Sequence, residues 1–474
     1  MPALPNLKTR ALSWFFHRLQ ARVPYSDSNQ YLEGRYAPVS QELTETHLTV
    51  TGQLPRELNG LYARIGPNPM SVPNPGAYHW FTGAGMVHGV RLKDGKALWY
   101  RNRWIASNSV RDKQGRPHLP GPRRGVLDAV NTNVFAHGGR IWAAVEAGPY
   151  PVELDGELNS LRHGLFDSGL SMAFTAHPRI DPFTGEAHAI CYDGPKRDRI
   201  TYMVVNAQCQ VTKVLELPVR HGPMIHDCAI TRSQVIVLDL PVTFSGKSLI
   251  QGAALPYTWN PKHRARVGLL PRNGQAKDVR WIDIDPCYVF HTCNAYDLDD
   301  GGVMLDVVAH QRMFDRSRIG PEAEQTHITF ERWHIDPARG MVKRTVISKR
   351  NQEFPRCNEL FSTQPYRYAY TVGFTNPKDL QMLMRHDLHT GRTQTHDHGP
   401  GRSTGEAVFV PRHSDGRGAE DDGWLLSYVY DANTNRSDLV VLNARDLNGP
   451  PQAIVHLPAR VPSGFHGNWI PDLV

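Results

Sequence analysis

GVRLKDGKALWYRNRW (89–104) sets the pattern for the chain: an apolar, β-branched run, a polar turn, then a second run rich in aromatic residues. Runs of this kind, bounded by Gly, Pro, Asp and Asn, read as paired antiparallel strands. The unit recurs in weaker form as PVELDGELNSLRHG (151–164), TYMVVNAQCQVTKVLELPV (201–219), DVRWIDID (278–285), ITFERWHIDPARGMVKRTVIS (328–348), QMLMRHDLHTGRTQTHDHG (381–399) and LVVLNARDLNGPPQAIVHLP (439–458). Seven units in 474 residues give about 68 residues each, somewhat above common propeller repeats. Helical periodicity is nearly absent after residue 30. An all-β fold follows, and a β-propeller suits it because it leaves only short, protected sheet edges; an array of β-sandwiches is the alternative. No low-complexity linker divides the chain, so residues 31–474 are expected to form one domain, preceded by a separate segment, 1–30. Pro/Gly-rich insertions at 65–76, 111–125 and 241–276 are expected as loops gathered over one face, where such loops build lids or tunnels.

Hydrophobic residues make up 40% and charged residues 21%, a globular balance. No apolar run reaches the ~18 residues of a spanning helix. The net charge of +7 is spread along the chain without a basic block or a nucleic-acid motif. It is therefore read as a mild bias, one that could favour an anionic membrane surface over a specific polyanion. Six cysteines without CxxC spacing suggest buried thiols in a reducing, cytoplasmic compartment.

The start, MPALPNLKTRALSWFFHRLQARVP, lacks the apolar core and cleavage site of a secretory signal, although its basic, acid-poor character also fits a transit peptide. Ala11, Leu12, Phe15, Phe16 and Leu19 fall on one face of a short amphipathic helix, with Lys8, Arg10, Arg18 and Arg22 around it. Two roles are open to it. It either packs on its own domain, the slightly favoured reading, or makes peripheral membrane contact through residues 8–22.

Histidine is abundant: 23 residues, roughly twice the average share. A local cluster, His386, His389, His396 and His398, lies in RHDLHTGRTQTHDHG, which reads better as a hairpin turn and its exit. A dispersed set is more informative. His177, His226, His291 and His466 each sit in or beside a short apolar, strand-like segment. The inner strands of a propeller point at one axis, where ligands 49, 65 and 175 positions apart can meet, although spacing alone does not show that they do. Imidazoles suit iron, copper, nickel and zinc, and an all-imidazole site with open positions suits iron(II) that must bind O2. Glu146, Glu353 and Glu406 also lie within or beside apolar runs. An acid there is costly unless paired, either with arginine or with a ligating histidine's second ring nitrogen.

NGLYARIGPNP (59–69), YHWFTGAGMVHGV (78–90), YRNRW (100–104), NTNV (131–134), EFPR (353–356) and GFHGNWIP (464–471) together resemble the carotenoid cleavage oxygenases, in order, from about Tyr31 to the C-terminus. The resemblance implies a seven-bladed β-propeller with Fe(II) on its axis, beneath a dome of loops that holds an apolar tunnel. It implies His177, His226, His291 and His466 as iron ligands, and Glu146, Glu353 and Glu406 as partners of His226, His291 and His466. It places Thr132 beside the iron, shielding one coordination position. Tyr78, Trp80, Phe81 and Trp104 are candidate tunnel residues, with core packing the equal alternative for each.

Two departures stand out. Phe81-Thr82-Gly83-Ala84-Gly85 replaces the family's FDGDG and loses two acids, which predicts altered loop packing with the metal site intact. Val145 stands immediately before Glu146, where stilbene-cleaving members carry a lysine that helps activate a phenol. The expected reaction is therefore O2-dependent cleavage of a conjugated C=C bond in a carotenoid or apocarotenoid, giving two carbonyl products. Cleavage of stilbenes or other phenylpropenoids on the same iron site is the runner-up, and a non-catalytic binding propeller is the alternative of another class.

Overall fold

Seven antiparallel sheets of four to six strands follow one another around the molecule as a seven-bladed β-propeller. The structure, a computed structural model, describes residues 7–472 except 126–127, 195, 323–326 and 375–379; side chains are described from Trp14 onward, apart from those of 380–381. Each repeated unit falls in a different blade, on its outer strands. Gly85–Lys93 and Lys96–Trp104 form a hairpin of the first blade; Val152–Leu154 and Ser160–His163 belong to the second, and Arg199–Val205 and Val211–Pro218 to the third. Asp94 and Gly95 turn the first of these hairpins at φ 50° and 74°, the left-handed pair that a tight two-residue turn demands.

Burial explains why the outer strands were the legible ones. Val211–Pro218 alternates between exposed and half-buried positions along most of its length, the period of a strand with one face in water. The inner strands lack that signal: Tyr288–Asp297 is buried at every position but its last. With no face in water, such a run shows no polar/apolar alternation.

The ring is closed twice. The C-terminal strand Gly467–Pro471 pairs with Gly60–Pro67 of the first blade, and Val50–Gly52 pairs with Ala453–His456 of the last. Each end of the chain thus adds a strand to a blade built mostly from the other end, which ties the first and last blades together.

Three of the expected loops need correction. The segment 241–276 is not simply a loop: it holds a two-stranded hairpin (Val242–Phe244 with Tyr257–Trp259), a short helix (Gly246–Ile250) and a strand of the fourth blade, Arg266–Pro271. That strand is a six-residue run flanked by Pro- and Gly-rich sequence, too short to register against such neighbours. Likewise, the strand Gly60–Pro67 runs through the start of the proposed 65–76 insertion, and Asn108–Lys113 is helical at the edge of 111–125. The N-terminal helix spans Leu7–Gln20. Phe16 and Leu19 are buried, whereas Trp14 is 62% and Phe15 49% exposed; the side chains of Lys8, Arg10, Ala11 and Leu12 lie outside the described residues.

In the FTGAG turn, Asn131 Nδ2 donates to the carbonyls of Phe81 (3.0 Å) and Gly83 (2.7 Å). Gly85, which ends the turn, has no room for a side chain, because a Cβ there would stand 1.7 Å from the Val130 carbonyl oxygen. Gly85→Ala should therefore destabilise the protein by roughly 1–3 kcal/mol, seen as a lowered thermal midpoint. Gly156→Ala, whose Cβ meets nothing within 4 Å, should leave the midpoint unchanged. Equal midpoints for the two variants would contradict this account.

Candidate metal centre

The inner strands deliver the histidines. His177 and His226 each precede an inner strand by two residues (Arg179–Ile180 and Cys228–Ile230), His291 lies within Tyr288–Asp297, and His466 immediately precedes Gly467–Pro471. All four are buried, and one ring nitrogen from each lies within 4.8 Å of the others. The separations between Nε2 atoms are 3.1 Å for His177–His226, 3.3 Å for His226–His291 and 3.1 Å for His291–His466. Among the described residues this is the one group of three or more such side chains that could hold a metal.

Carboxylates sit behind three of the rings. Glu146 lies 2.9 Å from His226 Nδ1, Glu353 2.6 Å from His291 Nδ1, and Glu406 3.1 Å from His466 Nδ1. No carboxylate among the described residues pairs with His177. The pairing has a chemical consequence. An Nδ1–H donated to a carboxylate leaves Nε2 of the neutral ring as a bare lone pair. The His226–His291 and His291–His466 contacts are then lone pair against lone pair, an arrangement that a cation resolves and a hydrogen bond does not. The donor set therefore fits a metal ion with imidazole affinity.

Charge follows the same logic. Burial and the neighbouring imidazoles hold His177 well below the usual histidine range, and burial, opposed by Glu406, pushes His466 down to about 4. At His226 burial also disfavours the cation, but Glu146 outweighs it and the pKa rises. Burial would raise both Glu353 and Glu406; His291 and His310 instead lower Glu353, and Arg356 with His466 takes Glu406 down to about 2.

A cavity of about 590 Å³ reaches this centre, lined largely by apolar and aromatic side chains and by His226, His291 and His466. Trp80 and Phe81 line it, packed on Phe465 at ring separations of 4.7 and 5.2 Å. Tyr78 and Trp104 do not. Tyr78 is buried with its hydroxyl packed against Gly83, and Trp104 is fixed in a separate core with its indole N–H donating to the Asn68 carbonyl at 2.9 Å. Val145 lines the cavity beside Glu146. Thr132 lines it too; its Oγ1 donates to Asn131 Oδ1 at 2.9 Å, which leaves the methyl as the group available to the site.

The local cluster does not converge on one point: only His396 and His398 stay together, their rings edge-on at 4.7 Å. His386 is buried against Gln352 and Thr393, His389 is exposed in the turn, and His396 bonds the Leu447 carbonyl. Sequence reasoning overlooked Phe354, which stacks on His291 at 5.3 Å from a left-handed backbone (φ 55°), and His310, 2.6 Å from Glu353. Phe354 sits in the EFPR motif, but nothing in its sequence announces a positive φ.

A family model described as retinal pigment epithelial membrane protein matches residues 36–471. The chain is 40% identical to a carotenoid cleavage oxygenase of Mycobacterium tuberculosis, over 94% of this chain and 98% of that one. The chain belongs to the carotenoid cleavage oxygenase family. It is thus an enzyme of the dioxygenase class by family. A carotenoid 9,10(9',10')-cleavage dioxygenase of Crocus sativus is 32% identical, over 98% of this chain and 92% of the relative. Among solved structures, the lignostilbene dioxygenase of Pseudomonas brassicacearum matches with a TM-score of 0.85 at 26% identity, covering 95% of this chain and 100% of that one. A variant of the Synechocystis apocarotenoid oxygenase matches with a TM-score of 0.84 at 26% identity, covering 94% and 100%. Both structural relatives share this oxygenase fold.

If the carboxylates orient the ligands, Glu353→Gln and Glu406→Gln should each weaken metal binding by about 10–100-fold, measured by titrating metal-free protein with Co(II). Unchanged affinity in both would count against that role. Glu406 also carries a pH signature. Its folded pKa of about 2 lies below the ordinary 4.5, so its stabilisation is complete above about 4.5 and is lost as pH falls toward 2. Acid unfolding of the metal-free protein should show a smaller loss over that window in Glu406→Gln than in the wild type.

Proposed function

We propose that the protein holds iron(II) on His177, His226, His291 and His466 and uses O2 to cleave a conjugated C=C bond of a carotenoid or apocarotenoid, giving two carbonyl products. The observation that carries this reading is the four-imidazole site opening onto a long-chain-sized apolar cavity. Iron(II), when bound there, supplies the electron density that O2 needs to react with a polyene.

The protein's own part is positioning and exclusion. Phe81, Phe290 and Phe354 border the cavity, and their rings can face positive charge developing along a conjugated chain. The apolar lining keeps water from the reacting bond. The Thr132 methyl would crowd one approach to the ligand nitrogens and direct small molecules to another.

The likeness to a lignostilbene dioxygenase keeps stilbene cleavage as the second reading. Val145 argues against it, because an isopropyl group offers a phenol neither charge nor hydrogen bond. Purified, iron-loaded enzyme incubated in parallel with a carotenoid, an apocarotenal and resveratrol should give aldehyde or ketone products from the polyenes. Product from resveratrol alone would overturn the substrate assignment, and protein unable to take up near-stoichiometric iron would support a binding propeller instead.

A polyene is stored in lipid, and the N-terminal helix offers a docking surface. Phe15 and Phe16 line one end of the cavity, with Trp14 exposed on the same helix. Ile250, 65% exposed, ends the short helix that packs against it. No described helix is long and apolar enough to cross a membrane. We infer a peripheral contact on the cytoplasmic side, the compartment in which the six free, buried cysteines would stay reduced. Trp14→Glu combined with Ile250→Glu should reduce co-sedimentation with anionic liposomes while sparing turnover of detergent-dispersed substrate. Undiminished co-sedimentation would refute the contact.

A further inference from the structure

One more histidine reaches the centre without facing the ligand nitrogens. His310 ends the strand Val303–His310, which pairs with the strand bearing His291, opposite Tyr288. It is buried, its ring meets Phe290 edge-on at 5.4 Å, and it forms part of the cavity wall. Its Nε2 stands 2.6 Å from Glu353 Oε1, while His291 Nδ1 stands 2.6 Å from Glu353 Oε2. The Phe354 amide donates to Oε2 as well, at 2.7 Å. A carboxylate that accepts from two imidazoles and an amide is an anion held from both sides, and the acceptor role requires N–H on the nearer nitrogen of each ring.

The strand that carries Glu353 explains the need for a second clamp. Its pairing register breaks between Glu353 and Arg356, and Phe354 holds a left-handed φ of 55°. Irregular backbone of this kind costs energy and does not by itself fix the side chain it carries. Glu406 meets a comparable need differently, accepting from the Gly467 amide at 3.1 Å and facing the Arg356 guanidinium at 3.4 Å. At Glu353 the corresponding partner is an imidazole at closer range, and it belongs to the cavity wall.

We propose that His310 is a positioning residue for the metal: by donating Nε2–H to Glu353 it sets the carboxylate against His291 and so aims His291 Nε2 at the axis. The inference rests on reading the four histidines as a metal centre. Removing His310 leaves Glu353 Oε1 without this donor and the carboxylate held only through Oε2, so its aim at His291 loosens and the effect appears at the metal without touching a ligand.

The test compares His310→Leu, which fills space without a donor, with His310→Gln, whose amide N–H replaces the Nε2–H. Metal-free wild type and variants are titrated with Co(II), and the visible spectrum of each complex is recorded. Loss of the donor should weaken Co(II) binding about 10–100-fold and shift the ligand-field bands in His310→Leu, with most of both effects restored in His310→Gln. In combination with Glu353→Gln, His310→Leu should add little further loss, because both variants break the same relay. Should His310→Leu fail to fold, His310→Asn, whose shorter side chain stops short of Glu353, serves in its place and should show the same loss. Wild-type affinity and spectrum in the donor-deleted variant, or full additivity with Glu353→Gln, would overturn the proposal. Failure of the wild type to bind Co(II) or iron would instead overturn the metal centre on which it stands.

Discussion

Four imidazole lone pairs held near one point are the constraint around which this molecule is organised. Neighbouring Nε2 atoms of His177, His226, His291 and His466 stand 3.1–3.3 Å apart. Three of the rings are committed through Nδ1 to carboxylates. Such a cluster is unfavourable by itself: the nitrogens cannot all hydrogen-bond one another, and the buried carboxylates need partners of their own. It persists because each member is fixed by a different blade, so no single local rearrangement relieves it.

The propeller is the means of fixing them. Blades contribute inner strands of unlike sequence but similar placement, and residues up to 175 positions apart in neighbouring ligands are brought within contact. Closure matters as much as repetition. Gly467–Pro471 enters the first blade immediately after His466, so the strand that seals the ring also seats the last ligand. Cooperative stability and the metal site therefore draw on the same contacts at the chain's end.

Polarity around the centre is divided by direction. The carboxylates, with His310 and Arg356 as partners, hold the Nδ1 side of the ligands or one another. Although Glu146, Glu353 and His310 reach the cavity wall, much of the lining is aromatic, including Phe81, Phe290, Phe354 and Phe465. Charge behind the rings fixes their tautomer and aim, and apolar surface before them admits a hydrocarbon chain and excludes water. Val145 and Glu146, adjacent in sequence, mark the boundary between the two regimes: both touch the cavity, but one offers only methyl groups and the other braces His226.

The sequence by itself determined the class of fold, because half-exposed outer strands such as Val211–Pro218 carry an alternating pattern and their turns carry Asp-Gly, Asn-Gly or Pro. It also determined the ligand and carboxylate candidates once whole motifs such as EFPR and GFHGNWIP were weighed beside the lone histidines. The inner strands were less legible, since full burial erases the period that marks a strand, and Arg266–Pro271 disappeared into its Pro/Gly-rich surroundings. Only the tertiary structure decided which aromatics face the cavity. Trp80 and Trp104 are alike in sequence, yet one lines the cavity and the other gives its N–H to Asn68 in a separate core. Only the tertiary structure could also show His310 beside Glu353. Their contact spans 43 positions and two strands of different sheets, and distance through space is the one property that a linear pattern of residue types does not carry.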